Sequence, residues 1–429
     1  MLMDNEKVQS YLNSVCSEIR LRESHREIKL ELMSHIQEMV ADYLAQGFNM
    51  DEAVEKAIAH MGNSSIVGKE LAKVHKPKPE WSIILLSLLF ISLGLLLMFI
   101  MDSQGLSGFS LFARSLSYTV LGAIIIVGLY FFDYRKLEAY SKNIYMGSIM
   151  LLVLTLIANP IINGKRWLSI GGISIDIVSI SPFLFVIALA GILNNIDWRD
   201  NKKFIHGILL SLMPLVLLVA NGSFFPAALI YIIACITVLT ASGAGYRVSI
   251  FMMSLMMTVI ALPLLNSPYK LQSLLAFINP HGDPLGSGYL YMQLSNLIKS
   301  AGLYGQGFVL EKGVMPELHT DFIFAYIIFT FGWIAAFVIA AMAAAFLVRM
   351  AHVATVVKNS YGKLLIRGFV AVFSIEFIWY IFMNLGFAPI AGVGLPFISY
   401  GGSQLIVNAL AVGAILSIYR RRSLSKILH

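Results

Sequence analysis

Apolar residues recur at helical spacing in the first 80 positions and come in solid runs after Trp81. Ile28, Leu32, Ile36, Met39, Val40 and Leu44 return every three to four residues, the pattern of a helix with one buried face. Gly47 ends that helix. The stretch NMDEAVEKAIAHMG starts another behind Asn49 or Asp51 and closes it at Gly62; a third runs from Ser64 to Val74 before HKPKPEW breaks it. Residues 1–80 therefore predict a small helical domain. They are polar and highly charged, so no cleavable signal peptide is expected. From Trp81 the apolar runs are long enough to cross about 30 Å of hydrocarbon. They predict ten spans, near 82–101, 114–132, 144–160, 178–194, 204–221, 225–242, 248–265, 321–347, 366–386 and 397–419. The expected fold is an all-α integral membrane protein, with a helical domain at 1–80, a polytopic bundle at 81–422 and a tail at 423–429.

Composition agrees with this reading. The chain is 58% hydrophobic and 13% charged, whereas soluble domains carry about a quarter charged residues. Its net charge of +7 calls for no nucleic acid partner, because in a polytopic protein surplus Lys and Arg gather in cytoplasmic loops. With the N-terminal domain inside, the inner segments and tail hold fifteen Lys and Arg residues against six outside, which sets the orientation in the cell membrane. Both termini are then cytoplasmic. Cys16 and Cys235 are far apart in unlike settings, so neither a disulfide framework nor a metal site is expected.

This orientation puts three polar segments outside: NGKRWLSIGG, the long loop at 266–320, and GFAPIAGVGLPFISYGG. A loop of that length in a compact bundle is usually functional or disordered. This one carries order signals, since NPHGDPLGSGY is dense in turn formers and YMQLSNLIKSAGL has helical periodicity. At its end PELHTDFIFAYIIF passes straight from polar loop to apolar span, with Asp321 at the doorway. A carboxylate at the hydrocarbon edge is a functional candidate. Equally, Thr320 and Asp321 are good helix N-cap residues, favoured by the helix dipole. Arg166 and Trp167 have the reading of interfacial anchors beside that of ligand contacts. Asp283 reads as a turn residue. His319 lacks a ligand partner at fixed spacing, so no metal site is assigned. Asn384 and Ser399 read as polar groups available for helix–helix hydrogen bonds or for substrate.

The three outer segments together resemble the SEDS (shape, elongation, division and sporulation) family, of the RodA and FtsW type. NGKRWLSIGGISI resembles its G-x-x-R-W-I-x-L-G loop. NPHGDPLGSGYLYMQLSNLIKSAGLYGQGF with MPELHTDFIFAYI resembles its long loop and following helix, and GFAPIAGVGLPFISYGGSQLIVNALAVGAILSI its last loop and span. The resemblance covers about 82–422. The prefix domain lies outside it and resembles the helical prefix domains of some bacterial permeases. The family resemblance implies a peptidoglycan glycosyltransferase that polymerises lipid II onto a nascent glycan strand, outside the cytoplasmic membrane. It also implies a class B penicillin-binding protein as partner and places the family's essential acid at Asp321. The chemistry suits that place. A sugar hydroxyl is a poor nucleophile at neutral pH, and a carboxylate acting as general base is worth about 10²–10⁴-fold. The leaving pyrophosphate needs cationic help, from Arg or Lys or from a divalent cation such as Mg²⁺. Lys165 and Arg166, beside Trp167, are the candidates, with Glu317, His319, Thr320 and Ser399 lining the substrate groove.

The chain also departs from the family pattern. Q-P-S-E-L-x-K appears as DIVSISP, with Ser179 and Pro182 in place of Glu and Lys; the Asp of Q-P-D-x-G-T becomes Ser223; and Phe329 and Thr330 replace a Glu-Glu pair before Gly332. Removing buried charges as a set avoids stranding one of them. Two further readings follow: a catalytically weakened paralogue acting as scaffold or regulator of a penicillin-binding protein, and a flippase for lipid-linked precursors. A transporter tends to keep charges near the midplane, which weighs against the flippase.

Overall fold

The computed structural model describes residues 5–19, 25–74, 79–107, 109–157, 161–162, 165–170, 173–223, 226–310 and 313–422. It divides into two compact units, one built from the residues before Glu80 with Val357–Asn359 and the end of the chain from Tyr419, the other from Glu80–Val356 and Ser360–Ile418.

The first unit holds α1 (Glu6–Ser17), α2 (His25–Ala45), α3 (Met50–Met61) and α4 (Ser64–Val74). Asn49 caps α3 in a capping box with Glu52, and Gly62 closes it at φ 86°. α1 is an addition to the sequence expectation. Val8, Leu12 and Val15 form its buried stripe, packed with Ile28, Ile36, Val40 and Val54 into one apolar core. A Cβ on Gly68 would lie 2.7 Å from Val15 O, so α1 and α4 approach closely only because that residue is glycine.

In the second unit, the ten expected spans appear as α5 (Trp81–Ser103), α6 (Leu111–Phe131), α8 (Ser141–Ile157), α9 (Ile177–Leu193), α10 (Asn201–Ala220), α11 (Ala227–Ala241), α12 (Tyr246–Leu265), α15 (Ile323–Val356), α16 (Ser360–Asn384) and α17 (Gly402–Arg420). α7 (Arg135–Ala139) joins α6 to α8; α13 (Pro268–Ile278) and α14 (Tyr289–Ser300) lie in the long loop. Seven of the ten are long and apolar enough to cross a membrane, while α8, α9 and α11 are shorter. α9 and α11 bury most of their residues among their neighbours. Residues 161–175 contain two small antiparallel ribbons, β1 (Ile161–Ile162) with β2 (Lys165–Arg166) and β3 (Leu168–Ile170) with β4 (Ile173–Ile175).

Two local departures from regular helix matter for the site. The last helix begins at Gly402 rather than near 397, because Phe397 adopts φ 68°. Its ring is fixed in an aromatic cluster, stacked on Phe90 and Phe373 and edge-on to Phe346. Gly94 of α5 admits the backbone there, since a Cβ would lie 2.9 Å from Ile398 O. The second departure is a break inside α15 at Gly332 (φ 82°, ψ 178°). The loop at 302–307 fills that break. Gln306 and Gly307 N–H groups donate to Phe329 and Thr330 carbonyls at 2.7 and 3.1 Å, and Trp333 and Ile334 N–H groups donate to Gly302 and Leu303 carbonyls at 3.2 and 3.4 Å. The backbone groups released by the kink are thereby satisfied, as buried polar groups must be.

Candidate functional site

Glu317 begins the segment that carries Asp321, and its backbone is left-handed at φ 52°. Its carbonyl accepts from the N–H groups of Thr320, Asp321 and Phe322 at 3.2, 3.0 and 3.3 Å, closing a tight turn just before α15. The Thr320 hydroxyl donates to the Glu317 carboxylate at 2.8 Å. Glu317 therefore shapes the turn through both its backbone and its side chain.

That turn is tied to α16 and to the loop before α17. Asn384, fully buried, donates from Nδ2 to Asp321 O at 3.0 Å and accepts at Oδ1 from Ala325 N–H at 3.2 Å. Ala325 belongs to the first turn of α15, where no intrahelical carbonyl is within reach. Capping of this N–H thus comes from α16. Thr320 O accepts from Tyr380 Oη at 3.1 Å and from Ser399 Oγ at 2.7 Å, while Ser399 Oγ accepts from Leu395 N–H at 2.8 Å. Tyr400 N–H donates to His319 O at 2.9 Å. Asp321, half-buried, is thus mounted on a backbone held from two sides. Gly392 faces the carboxylate: a Cβ there would lie 4.0 Å from Asp321 Oδ2.

His319 packs edge-on to Tyr400 and Phe109, with ring centroids 5.4 and 6.0 Å apart, and Arg114 lies over the Phe109 ring. Burial lowers the His319 pKa below its ordinary 6.5, opposed by a weaker upward pull from Glu317.

The structure brings together Glu317, His319, Thr320, Asp321 and Ser399. Arg166 is engaged elsewhere: its N–H donates to Asn221 O at 3.2 Å and its Nη1 to Leu156 O at 2.9 Å, capping the end of α8. Trp167 beside it is half-buried, and the side chain of Lys165 lies outside the described residues. Asp283 accepts from Gly286 N–H, Ser287 N–H and Ser287 Oγ, closing its own turn.

The model of cell cycle proteins of the FtsW, RodA and SpoVE type matches residues 80–424. This chain is a SEDS protein. It is 31% identical over 364 residues to a probable peptidoglycan glycosyltransferase FtsW of Coxiella burnetii, covering 79% of this chain and 96% of that one. It is 28% identical over 368 residues to the peptidoglycan glycosyltransferase MrdB of Escherichia coli, covering 82% and 96%. Among solved structures, a chain of a peptidoglycan synthase complex, described for its coordination of polymerisation and crosslinking, shares the fold. It has a TM-score of 0.66 and 24% identity, over 80% of this chain and 98% of that one. Residues 1–79 precede the matched region, so the α1–α4 domain is an addition to the SEDS bundle.

Sequence reasoning overlooked one polar cluster within this SEDS bundle. Glu376 of α16, 2% exposed, accepts from Gln404 Nε2 at 2.8 Å, and the same amide donates to Asn408 Oδ1 at 3.4 Å. Among the described residues, Glu376 Oε2 and Asn408 Nδ2 have no hydrogen-bond partner. A lone carboxyl inside an apolar helix was the available signal.

Proposed function

We propose that this SEDS protein is a peptidoglycan glycosyltransferase that polymerises lipid II at the outer face of the cytoplasmic membrane, with Asp321 as general base. One observation carries the assignment of the base. The carboxylate sits two residues before a membrane helix, on a turn whose carbonyls are held by Asn384, Tyr380 and Ser399. A group fixed in this way has already met much of the entropic cost of orientation. Asp321 takes the proton from the 4-hydroxyl of the acceptor sugar as that oxygen attacks the anomeric carbon of the lipid-linked donor, and undecaprenyl pyrophosphate leaves. His319, two residues before Asp321 on the same turn, is a hydrogen-bonding neighbour for substrate. Gly392 leaves space in front of the carboxylate.

Mg²⁺ binds through one or two carboxylates plus substrate phosphates rather than through an all-protein cage. Glu317, the exposed carboxylate on the same turn, is the residue that would hold it, leaving Asp321 free as the base, and the ion would supply charge neutralisation at the leaving pyrophosphate. The fifteen Lys and Arg residues of the inner segments and tail, against six outside, support cytoplasmic termini and an exterior Asp321. A class B penicillin-binding protein is the partner proposed for crosslinking.

The test is elongation of glycan strands from lipid II by the purified protein with its cognate transpeptidase, over a range of divalent cations. Wild type should polymerise, and Asp321→Asn should lose at least about 10²-fold. Equal rates for both would remove Asp321 as base. The loss of charge at Ser179, Pro182, Ser223, Phe329 and Thr330 favours a second reading, a scaffold that holds a transpeptidase without polymerising. An inactive wild type that still binds the transpeptidase would select it.

A further inference from the structure

A groove of about 390 Å³ runs between α11, α15 and α16, far along the chain from the Asp321 turn. Its walls are Ile233 and Thr237 of α11, Ala354 and Thr355 of α15, and Ala371 of α16, with Arg367 at its margin. The alanines leave the width open. Both threonine hydroxyls already donate within their own helices, Thr237 Oγ1 to Ile233 O at 2.7 Å and Thr355 Oγ1 to His352 O at 2.8 Å. The guanidinium of Arg367 is the charged donor of the groove. Arg367 lies seven residues into α16, about 10 Å along the axis. Lys363 is four residues earlier, on the same face. Among the described residues, neither cation has an ion-pair or hydrogen-bond partner. Lys363 is half-buried and Arg367 exposed; two like charges one turn apart repel, and on a helix set in a bilayer they call for a counter-anion.

We propose that this groove binds one anionic phospholipid, its phosphodiester on Arg367 and Lys363 and one acyl chain along the alanine-lined walls. A guanidinium fork matches phosphate oxygens in pairs. Basic pockets between membrane helices near a leaflet surface suit phospholipid headgroups. Apart from Thr237, Thr355, Ser374 and Arg367 the lining is apolar, which argues for a lipid over a free anion. This inference rests on the bundle lying in a bilayer and is independent of catalysis at Asp321.

The experiment is native mass spectrometry of the full chain in detergent, mixed with phosphatidylglycerol or with phosphatidylcholine of the same acyl chains. Phosphatidylglycerol should be retained in preference, one molecule per protein. Arg367→Gln and Lys363→Gln should each lower its retention about fivefold. Ala371→Phe keeps both charges but fills the groove, and should lower retention as well. Lys202→Gln with Lys203→Gln removes twice the charge of either single variant elsewhere and should leave retention unchanged. Each variant is first checked for a monodisperse elution profile, and Arg367→Lys serves where Arg367→Gln fails that check, with a smaller loss expected. Equal retention of the two lipids would overturn the proposal. So would retention unaffected by Ala371→Phe, or an equal loss in the Lys202/Lys203 variant. Thermal stabilisation by inorganic phosphate as large as that by phosphatidylglycerol would reassign the site to a free anion and would also overturn it.

Discussion

Truncating Asn384 to Ala separates the chemistry of the Asp321 carboxylate from its placement. Asn384 makes three side-chain hydrogen bonds, to Asp321 O, Tyr380 O and Ala325 N–H. The bond to Tyr380 stays within α16. The other two join α16 to the turn and to the first residues of α15. Hydrogen bonds between membrane helices average about 0.6 kcal/mol and reach about 1.7 kcal/mol, so the two together amount to roughly 1–3 kcal/mol. Such a loss destabilises the protein without unfolding it. The catalytic effect should be larger than the stability effect suggests, because a misplacement of about 1 Å can cost about 10²-fold in rate. Asn384→Ala is therefore expected to lower kcat for lipid II polymerisation by about 10²-fold with a smaller change in KM. Asn384→Asp keeps an acceptor for Ala325 N–H and should fall between the two. The assays are strand elongation from lipid II and thermal unfolding in detergent. Asn384→Ala with wild-type kcat and lowered stability would show that this anchor does not set the carboxylate.

Three further predictions address other parts of the site. Gly332→Ala places a Cβ 2.1 Å from Leu303 O at a φ of 82°, so at least about 1–3 kcal/mol of backbone strain should appear as a lower unfolding temperature; an unchanged temperature would mean that the 302–307 loop moves away freely. Gly392→Ala makes only ordinary contact with Asp321 and should retain activity, whereas Gly392→Leu fills the space before the carboxylate and should lose roughly tenfold or more in kcat/KM; equal activities would place the acceptor elsewhere. Burial holds His319 below 6.5, so the unfolded chain takes up that proton first as pH falls, and stability contributed here is present above about 6.5 and is lost below it. His319→Gln should flatten the fall in unfolding temperature between pH 6.5 and lower values, and an unaltered slope would assign that fall to other groups.

The ten membrane helices were legible because lipid imposes a length and a composition that a reader can count. Position on the long axis was legible as well: TDFIF put Asp321 beside a span, and the helix does begin two residues later. What escaped was whatever depends on contacts between distant segments. The start of α17 was misplaced by five residues because nothing local announces a left-handed Phe397; three other aromatic rings hold it there. α1 escaped although Val8, Leu12 and Val15 carry helical spacing, since the stripe is short and has meaning only with α2 and α3 beside it. Glu376, Gln404 and Asn408 are spread over 33 residues and become one cluster only when α16 and α17 pack.

The same distinction bears on the family charges this chain lacks. Phe329 and Thr330 stand where the family pattern has a Glu-Glu pair, yet both are buried, and both hold the 302–307 loop through their carbonyls. A contact made by backbone survives a change of side chain, provided the chain path is kept. Gly305 and Gly332 keep it, since a Cβ on either would strike the backbone opposite at 2.3 or 2.1 Å. The turn bearing Asp321 follows the same logic, with three of its N–H groups on one carbonyl and two of its carbonyls held by Asn384, Tyr380 and Ser399. Divergence at the lost charges therefore leaves the mount of the carboxylate intact. The bundle of this chain holds a buried carboxyl of its own at Glu376. Restoring Glu at 329 or 330 without a cationic partner would strand a charge beside the kink, and is expected to destabilise the fold rather than raise activity.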